Sequence, residues 1–242
     1  DGRDWPDNDV RFARLSLAAA EMALGAGDPG WRADNLHLND WPAALAAGYL
    51  AWRGGRAASL LTIHNLAYQG VFSPHRLAAL AIPDQAYSID GVEFYGKVSF
   101  LKAGVFYASH LTTVSSTYAR EITTPEFGCG LDGVVQTRAD DLVGLLNGVD
   151  TAIWNPAADE HLPARYSRQN MAGKKVCRAE LLKRCGFNGA FKGPIFGVVA
   201  RLVVRGAAYY RNWAKTLAAA AGYTAAGEPA PLTAAHSVSV EG

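Results

Sequence analysis

The chain has 242 residues, half of them hydrophobic, and its 23 basic and 22 acidic side chains leave a formal net charge of +1. This length fits one large domain or two small ones with a substantial core. The near-neutral charge argues against nucleic acid or an anionic membrane surface as partners, and no apolar run reaches the roughly 18 residues of a membrane span.

The cysteines indicate the redox compartment, and the opening residues indicate whether the chain starts at a natural N-terminus. Cys129, Cys177 and Cys185 are odd in number and lack the spacing of metal ligands, which predicts free thiols in a reducing, cytoplasmic compartment and no metal site. The opening Asp-Gly-Arg-Asp-Trp-Pro is neither a signal peptide nor an initiating methionine. We therefore expect this chain to begin inside a longer protein.

The first part of the chain alternates helical and strand patterns. Helices are predicted over residues 8–24 and 40–52, and strands around 36–38 and over 59–63. Strand, helix and strand joined by short loops form a βαβ unit, which implies a parallel sheet. The first helix has a broad predicted apolar face: Val10, Phe12, Ala13, Leu15, Leu17, Ala20 and Met22.

The later part continues the same alternation. Residues 73–91 read as irregular with short helical pieces, and the next predicted elements are a helix over 96–108, a strand over 110–115, a helix over 116–122, a strand over 142–149 and a helix over 171–185. Residues 186–193 read as a linker, and 194–202 as the first strand of a new unit.

Polar side chains follow three of the predicted strands, in the stretches His37–Asp40, His64–Asn65 and Asn147–Asp150. Because parallel strands bring their carboxyl ends to one edge, where ligands bind, these groups are expected to lie together. Imidazole, carboxylate and amide groups are suited to bind the hydroxyls of a sugar. Three aromatic residues could provide faces for a sugar ring: Trp41, Tyr68 and Phe94.

Each of these residues also has a structural interpretation. Asp40 could only cap its helix, His64 could be a satisfied strand-end histidine, and Asn147–Gly148 could be a turn. Lys97 and Lys102 are expected to be surface lysines with stems along apolar surface. The sequence has no Ser-His-Asp arrangement and no glycine-rich phosphate loop of the expected spacing.

The chain resembles bacterial glycogen synthases, the ADP-glucose-dependent enzymes that share a family with plant starch synthases. The resemblance runs from Asp1 to about Leu202. It rests on an ordered set of motifs that is more specific than any single one: Asn39-Asp-Trp41, His64-Asn-Leu-Ala-Tyr-Gln-Gly70, Gly96-Lys-Val-Ser-Phe-Leu-Lys-Ala-Gly104, Thr113-Val-Ser-Ser-Thr-Tyr-Ala-Arg-Glu-Ile122 and Leu146-Asn-Gly-Val-Asp150.

The resemblance implies an α/β protein of the GT-B type. Residues 1–190 would form a truncated, Rossmann-like, acceptor-side domain with a parallel sheet. Residues 191–202 would be a linker and the first strand of a donor-binding domain. Residues 203–242 would be a divergent, alanine-rich tail, for which disorder is one expectation.

The implied reaction moves glucose from ADP-glucose to the non-reducing end of an α-1,4-glucan such as glycogen. It retains the anomeric configuration and uses no metal or cofactor. The resemblance places His64 beside the transferred glucose and Asp40 in the same region, as catalytic residues. The predicted substrate-binding residues are Asn65, Tyr68, Asn147 on the acceptor side, and Arg201 at the donor phosphates.

The sequence also departs from the family pattern. The family's Lys-Thr-Gly-Gly-Leu loop would precede Asp1, and Arg201 is followed by Leu-Val-Val-Arg-Gly in place of a Gln-Lys-Gly motif. These departures predict that this chain alone is inactive. Two alternatives stay open: a non-catalytic glucan-binding fragment, and a GT-B enzyme that uses another nucleotide sugar.

Overall fold

A computed structural model of the chain describes residues 5–28, 30–187 and 195. The chain divides into two compact units, Asp1–Gly148 and Val149–Gly242. The predicted linker and strand over 191–202, apart from residue 195, and the predicted tail over 203–242 lie outside the described residues. The domain boundaries proposed from the sequence therefore stay predictions.

The first unit carries most of the described secondary structure. Its helices are α1 (Asn8–Ala23), α2 (Asp40–Trp52), α3 (Phe100–Tyr107), α4 (Ser116–Glu121) and α5 (Asp132–Thr137). Its strands are β1 (Asn35–Asn39), β2 (Ala58–Ile63), β3 (Val71–Phe72), β4 (Glu93–Phe94), β5 (Lys97–Ser99), β6 (His110–Thr113) and β7 (Leu142–Gly144). Short 3-10 turns cover Pro74–Arg76, Ala78–Leu80, Asp84–Ala86 and Ala139–Asp141.

A parallel sheet in the order β1-β2-β6-β7 forms the centre of the first unit. Leu38 pairs with Leu61, and Leu61 pairs in turn with Leu111. The connection from β1 through α2 to β2 is the predicted βαβ unit. The α/β class with a parallel sheet is therefore confirmed.

One face of this sheet packs against α2 and α3 to form the core. Leu61, Ile63 and Leu111 are fully buried on it. At Gly104 in α3, a Cβ would lie 2.7 Å from the Ala44 Cβ and 2.9 Å from Leu61 Cδ2. Only glycine lets the helix approach α2 and β2 this closely, since even alanine would clash.

The opposite face of the sheet carries a row of polar side chains across three strands. His37 Nε2 lies 2.7 Å from Thr62 Oγ1, which lies 2.7 Å from Thr112 Oγ1. Where β2 and β6 begin, Ser59 N donates to Ser109 Oγ at 3.0 Å and Ser109 N donates to Ser59 Oγ at 3.1 Å. These side-chain bonds support the register that the backbone ladder sets.

A small antiparallel sheet, in the order β3-β5-β4, replaces the start of a predicted helix. The sequence predicted a helix from residue 96, but the helix begins at Phe100 and Lys97–Ser99 are strand. Ser99 is the N-cap, and its hydroxyl accepts from Lys102 N at 3.1 Å. Pairing with two other strands outweighs the apolar, helix-like pattern of these residues.

The buried face of α1 also differs from the prediction. Leu15 and Met22 were predicted to face the core but are more than half exposed. Ala13 and Ala20, which were predicted to face the core, are buried, and so is Ser16, which was not. Because α1 packs closely on α2, small side chains fit between the two helices where long ones do not.

The described part of the second unit contains α6 (Ala172–Arg184), as the sequence predicted for residues 171–185. Within it the Cys177 thiol lies 3.2 Å from the Ala164 carbonyl oxygen. Cys129, Cys177 and Cys185 are free, as predicted.

Candidate active site at the carboxyl edge of the sheet

Asp40 links the ends of β1 and β2. Its backbone is left-handed, with φ at 53°, and its Oδ1 accepts hydrogen bonds from His64 N at 2.7 Å and Asn65 N at 3.4 Å. The prediction that Asp40 caps its own helix is wrong. Asn39 is the N-cap of α2, without a side-chain capping bond. The Asp40 carboxylate instead bonds to the end of the neighbouring strand.

His64 extends from this edge into solvent. Its Nε2 lies 3.1 Å from Asn39 Oδ1. In the tautomer that carries its hydrogen on Nε2, the imidazole donates to this amide oxygen. The imidazole is exposed and tied to β1 through one nitrogen, while the main chain at His64 is held by Asp40. Of the three polar stretches predicted to meet at one strand edge, His37–Asp40 and His64–Asn65 do so here.

The loop after His64 is fixed by a series of polar contacts. Asn65 Oδ1 accepts from Ala67 N at 3.0 Å, and Leu66 N donates to the Tyr118 hydroxyl at 3.0 Å. Burial raises the pKa of Tyr118 above its usual value, so this phenol stays protonated. Gln69 Nε2 donates to the Cys129 carbonyl at 2.9 Å. The loop is thus connected to α4 and to the turn at Cys129.

The three aromatic residues considered as sugar faces differ in position. Tyr68 is 49% exposed on the loop after His64, and Phe94 is half-buried. The Trp41 ring packs among the core rings of Phe12, Phe72 and Phe100, with centroids 4.8, 5.8 and 6.4 Å away.

Trp41 is therefore partly buried and packs against the core. The left-handed Gly70, with φ at 58°, allows the chain to pass beside its ring, since a Cβ there would lie 2.3 Å from Trp41 Cε3. The Trp41 ring thus supports the loop that follows His64, and its contacts with three phenylalanine rings favour a packing role over sugar stacking.

The prediction for Lys102 is also wrong. Lys97 is exposed as expected, but Lys102 is only 4% exposed. Its Nζ donates to the carbonyl oxygens of Ile89 at 2.7 Å and Glu93 at 2.6 Å. Burial lowers the pKa of Lys102, opposed by the nearby Glu93 and Asp90 carboxylates. These backbone acceptors, which no local pattern reveals, hold the ammonium group inside.

Asn147, a predicted site residue, follows β7 on the carboxyl side of the sheet. Strand β7 ends at Gly144, short of the predicted residue 149, and Asn147 lies beyond it, exposed. In the described part of the chain no hydrogen bond joins Asn147 to His64 or Asp40. Arg201 lies outside the described residues. The roles of these residues, and of His64, Asp40, Asn65 and Tyr68, stay predictions.

Sequence reasoning did not assign a role to Tyr118 or Gln69, although both lie within motifs quoted above. Their contacts join segments that are 52 and 60 residues apart in the sequence. A side-chain hydroxyl that accepts from a distant backbone amide has no local signature. Only the folded chain shows that these two residues stabilise the loop of His64.

A cavity of about 370 Å³ lies at the other end of the strands, lined by residues that include Asn35, Leu60, His110 and Val143. Ligands of parallel α/β sheets bind at the carboxyl edge, so we place the candidate site at His64 and not at this cavity. Among the residues described, no cluster of three or more His, Cys, Asp or Glu side chains is suited to hold a metal ion, and no helix is long and apolar enough to cross a membrane.

Comparison with known proteins gives a consistent family. A sequence profile described as the starch synthase catalytic domain matches residues 1–137. Glycogen synthase 1 of Bradyrhizobium diazoefficiens is 54% identical over 204 residues, which are 84% of this chain and 44% of that protein. Glycogen synthase of Pseudomonas putida is 53% identical over 204 residues, 84% of this chain and 39% of that protein.

A solved structure agrees with these relatives. The catalytic domain of starch synthase IV from Arabidopsis thaliana, bound to ADP and acarbose, matches with a TM-score of 0.69 and 29% identity. The match covers 91% of this chain and 46% of that one. The expected GT-B class is confirmed by this similarity. The chain spans less than half the length of the relatives it matches.

Proposed function

The chain belongs to the starch synthase catalytic domain family, and from that membership we propose that it serves in the transfer of glucose from ADP-glucose to the non-reducing end of an α-1,4-glucan. The reaction would retain the anomeric configuration and need no metal or cofactor. A cytoplasmic setting is part of the same proposal. The relatives named glycogen synthase support this substrate pair, as does the starch synthase bound to ADP and acarbose.

The observation that carries the proposal is the joint arrangement of Asp40 and His64. One carboxylate oxygen of Asp40 holds the main chain at His64. The other oxygen has no hydrogen bond among the described residues, so it can accept one from a sugar hydroxyl. The exposed imidazole beside it can contact the same sugar. Groups fixed before the substrate arrives orient it with little loss of entropy.

Glucan binding is the first test on this chain. We expect it to co-sediment with glycogen, and His64→Ala to lose most of that binding. His110→Ala is the matched control, since His110 is an exposed histidine at the opposite end of the strands. Equal binding by the His64→Ala and His110→Ala variants would place the glucan elsewhere.

Catalysis is tested by incorporation of labelled glucose into glycogen. Turnover by the chain alone would contradict the expectation of inactivity, and glycogen binding without turnover would support a glucan-binding fragment. Replacement of the matching segment in a full-length relative by this chain should preserve incorporation from ADP-glucose. His64→Ala in that chimera should lower kcat by about 100-fold or more, and a preference for UDP-glucose would favour another nucleotide sugar.

A further inference from the structure

The turn between β4 and β5 holds an aromatic residue in an unfavourable conformation. Phe94 pairs with Lys97, so the loop consists of Tyr95 and Gly96, with φ at 48° and 75°. Positive φ at both positions is the pattern of a type I′ turn, whose first position favours Asn, Asp or Gly. A bulky residue with positive φ is an outlier. The Tyr95 side chain is also 80% exposed, so burial does not compensate for the strain.

The structure fixes this turn from two sides. Glu93 Oε1 accepts from Gly96 N at 2.7 Å, closing the loop on itself. The buried Lys102 ammonium donates to the Glu93 and Ile89 carbonyls. Hydrogen bonds from an acid and a buried cation therefore hold the residues on either side of Tyr95. Strain that persists because its surroundings enforce it is characteristic of functional sites.

The Tyr95 ring is continuous with the candidate site. It lies edge-on to the Phe94 ring, with centroids 4.8 Å apart, and next to Gly130, where a Cβ would lie 3.2 Å from Tyr95 Cε2. The neighbouring Cys129 carbonyl accepts from Gln69. Gln69 belongs to the loop that begins at His64. A second exposed ring, Tyr68, lies on that loop.

We propose that Tyr95 is a binding residue for the acceptor glucan, with its ring providing a flat surface on which a glucose unit stacks beside the loop of His64. This inference rests on the proposed function and assigns one aromatic residue to its acceptor side. The apolar face of a glucose ring matches an aromatic face, while its hydroxyls remain in water. The turn keeps the ring in solvent, where a polysaccharide can reach it.

Replacement by asparagine separates this role from a structural one. Asparagine suits the first position of the turn, so Tyr95→Asn should leave the thermal midpoint unchanged or raise it. It should raise the Kd for maltoheptaose by about fivefold, as measured by titration calorimetry on the full chain. Tyr95→Phe retains the ring and should bind within about twofold of wild type. Trp31→Ala is the control, since Trp31 is an exposed aromatic in the loop before β1.

The outcomes are distinct. Unchanged maltoheptaose binding in Tyr95→Asn, with loss in His64→Ala, would overturn this inference and leave the proposed function intact. Weaker ADP binding with unchanged maltoheptaose binding would also overturn it, because the ring would then serve the donor. No maltoheptaose binding by the wild-type chain would overturn both. Weaker binding with an unchanged or higher thermal midpoint would support a stacking role.

Discussion

At the scale of single residues, Asp40 combines a left-handed backbone with a carboxylate that accepts two backbone N–H groups. We expect Asp40→Ala to lower the free energy of unfolding by about 1–2 kcal/mol. The alanine variant lacks the carboxylate oxygen that accepts these hydrogen bonds, and alanine tolerates positive φ poorly. Asp40→Asn should lose about half as much, since asparagine tolerates this conformation and retains one acceptor oxygen.

Urea unfolding of the two variants measures this difference. Asp7→Ala provides a control, because Asp7 precedes α1 and makes no side-chain capping bond there. An Asp40→Asn variant as unstable as Asp40→Ala would show that the negative charge, and not the acceptor geometry, holds the loop of His64.

Two tyrosines, the buried Tyr49 and the half-buried Tyr118, predict a loss of stability in alkali. Burial raises the pKa of both Tyr49, which donates to the Leu80 carbonyl, and Tyr118. Their stabilising effect is complete below the unfolded pKa of about 10 and declines as pH rises above it. Lys102 has the opposite effect, because its pKa is lower in the folded chain than in the unfolded chain. The free energy of unfolding therefore increases as pH rises toward the pKa of lysine in the unfolded chain.

The measurement is the urea midpoint between pH 8 and pH 11.5. We expect a fall above about pH 10, and a shallower fall in Tyr49→Phe, which has no group to ionise at that position. A midpoint that rises throughout this range would show that the lysine effect dominates.

The residues of the site were predictable to different degrees. Asp40, His64 and Asn65 could be brought together from sequence because each follows a strand of a parallel sheet, and strand ends share an edge. Lys102 and Trp41 could not be placed. The lysine is buried because its ammonium group donates to two carbonyl oxygens, of Ile89 in a turn and of Glu93 in β4. The tryptophan is partly buried beside a segment of chain that passes close to its ring at Gly70.

At the scale of elements, a single arginine completes the end of α3. The Arg138 guanidinium donates to four carbonyl oxygens at that end, those of Val105, Phe106, Ala108 and Ser109, at 2.8–3.2 Å. It also pairs with Asp141 at 2.8 Å. The last carbonyls of a helix lack partners within the helix, so this side chain supplies what the backbone cannot.

Loss of that side chain should be costly. We expect Arg138→Ala to lower the free energy of unfolding by about 2–4 kcal/mol, and Arg138→Lys by less, because a lysine reaches fewer carbonyls. Asp141→Ala removes only the ion pair and should change stability by less than about 1 kcal/mol. Chemical denaturation checks all three variants, and equal losses in Arg138→Ala and Asp141→Ala would contradict the assignment.

Short elements were the least predictable. The helix α5 was not foreseen, since its six residues include a glycine and lack a long periodic pattern. The strands β4 and β5 were missed because each is stabilised by pairing with the other or with β3 and not by its own residues. Longer elements such as α2 and α6 were predicted within a residue or two, because their patterns extend over several turns.

At the scale of the whole molecule, the two clusters of buried hydrophobic residues found in the described part of the chain lie within the first unit, before residue 136. We therefore expect a chain that ends at Gly148 to unfold cooperatively. A chain that ends at Gly130 loses the buried Leu131 and Val135 together with Arg138, and should not unfold cooperatively. Near-ultraviolet circular dichroism during urea titration distinguishes the two.

The family and the class of the fold were visible in the sequence, and the comparisons confirmed both. Ordered motifs identify a family because they sample many separated positions at once. The same motifs did not predict the position of Asn147, because the strand predicted to contain it ends at Gly144. A continuous apolar run does not show where pairing stops, because that depends on the partner strand.

The reciprocal bonds between Ser59 and Ser109 bear on how the chain folds. Pairing of β2 with β6 joins segments 50 residues apart, whereas β1 and β2 are separated only by α2. Because longer loops close more slowly, β1, α2 and β2 are expected to assemble first, and docking of β6 to limit the folding rate. Because the two serines lie where β2 and β6 begin, their hydrogen bonds would fix the register of β6 against β2 when the two strands pair. We therefore expect this pair of hydroxyls to influence the order of folding, although it lies at the end of the strands opposite His64.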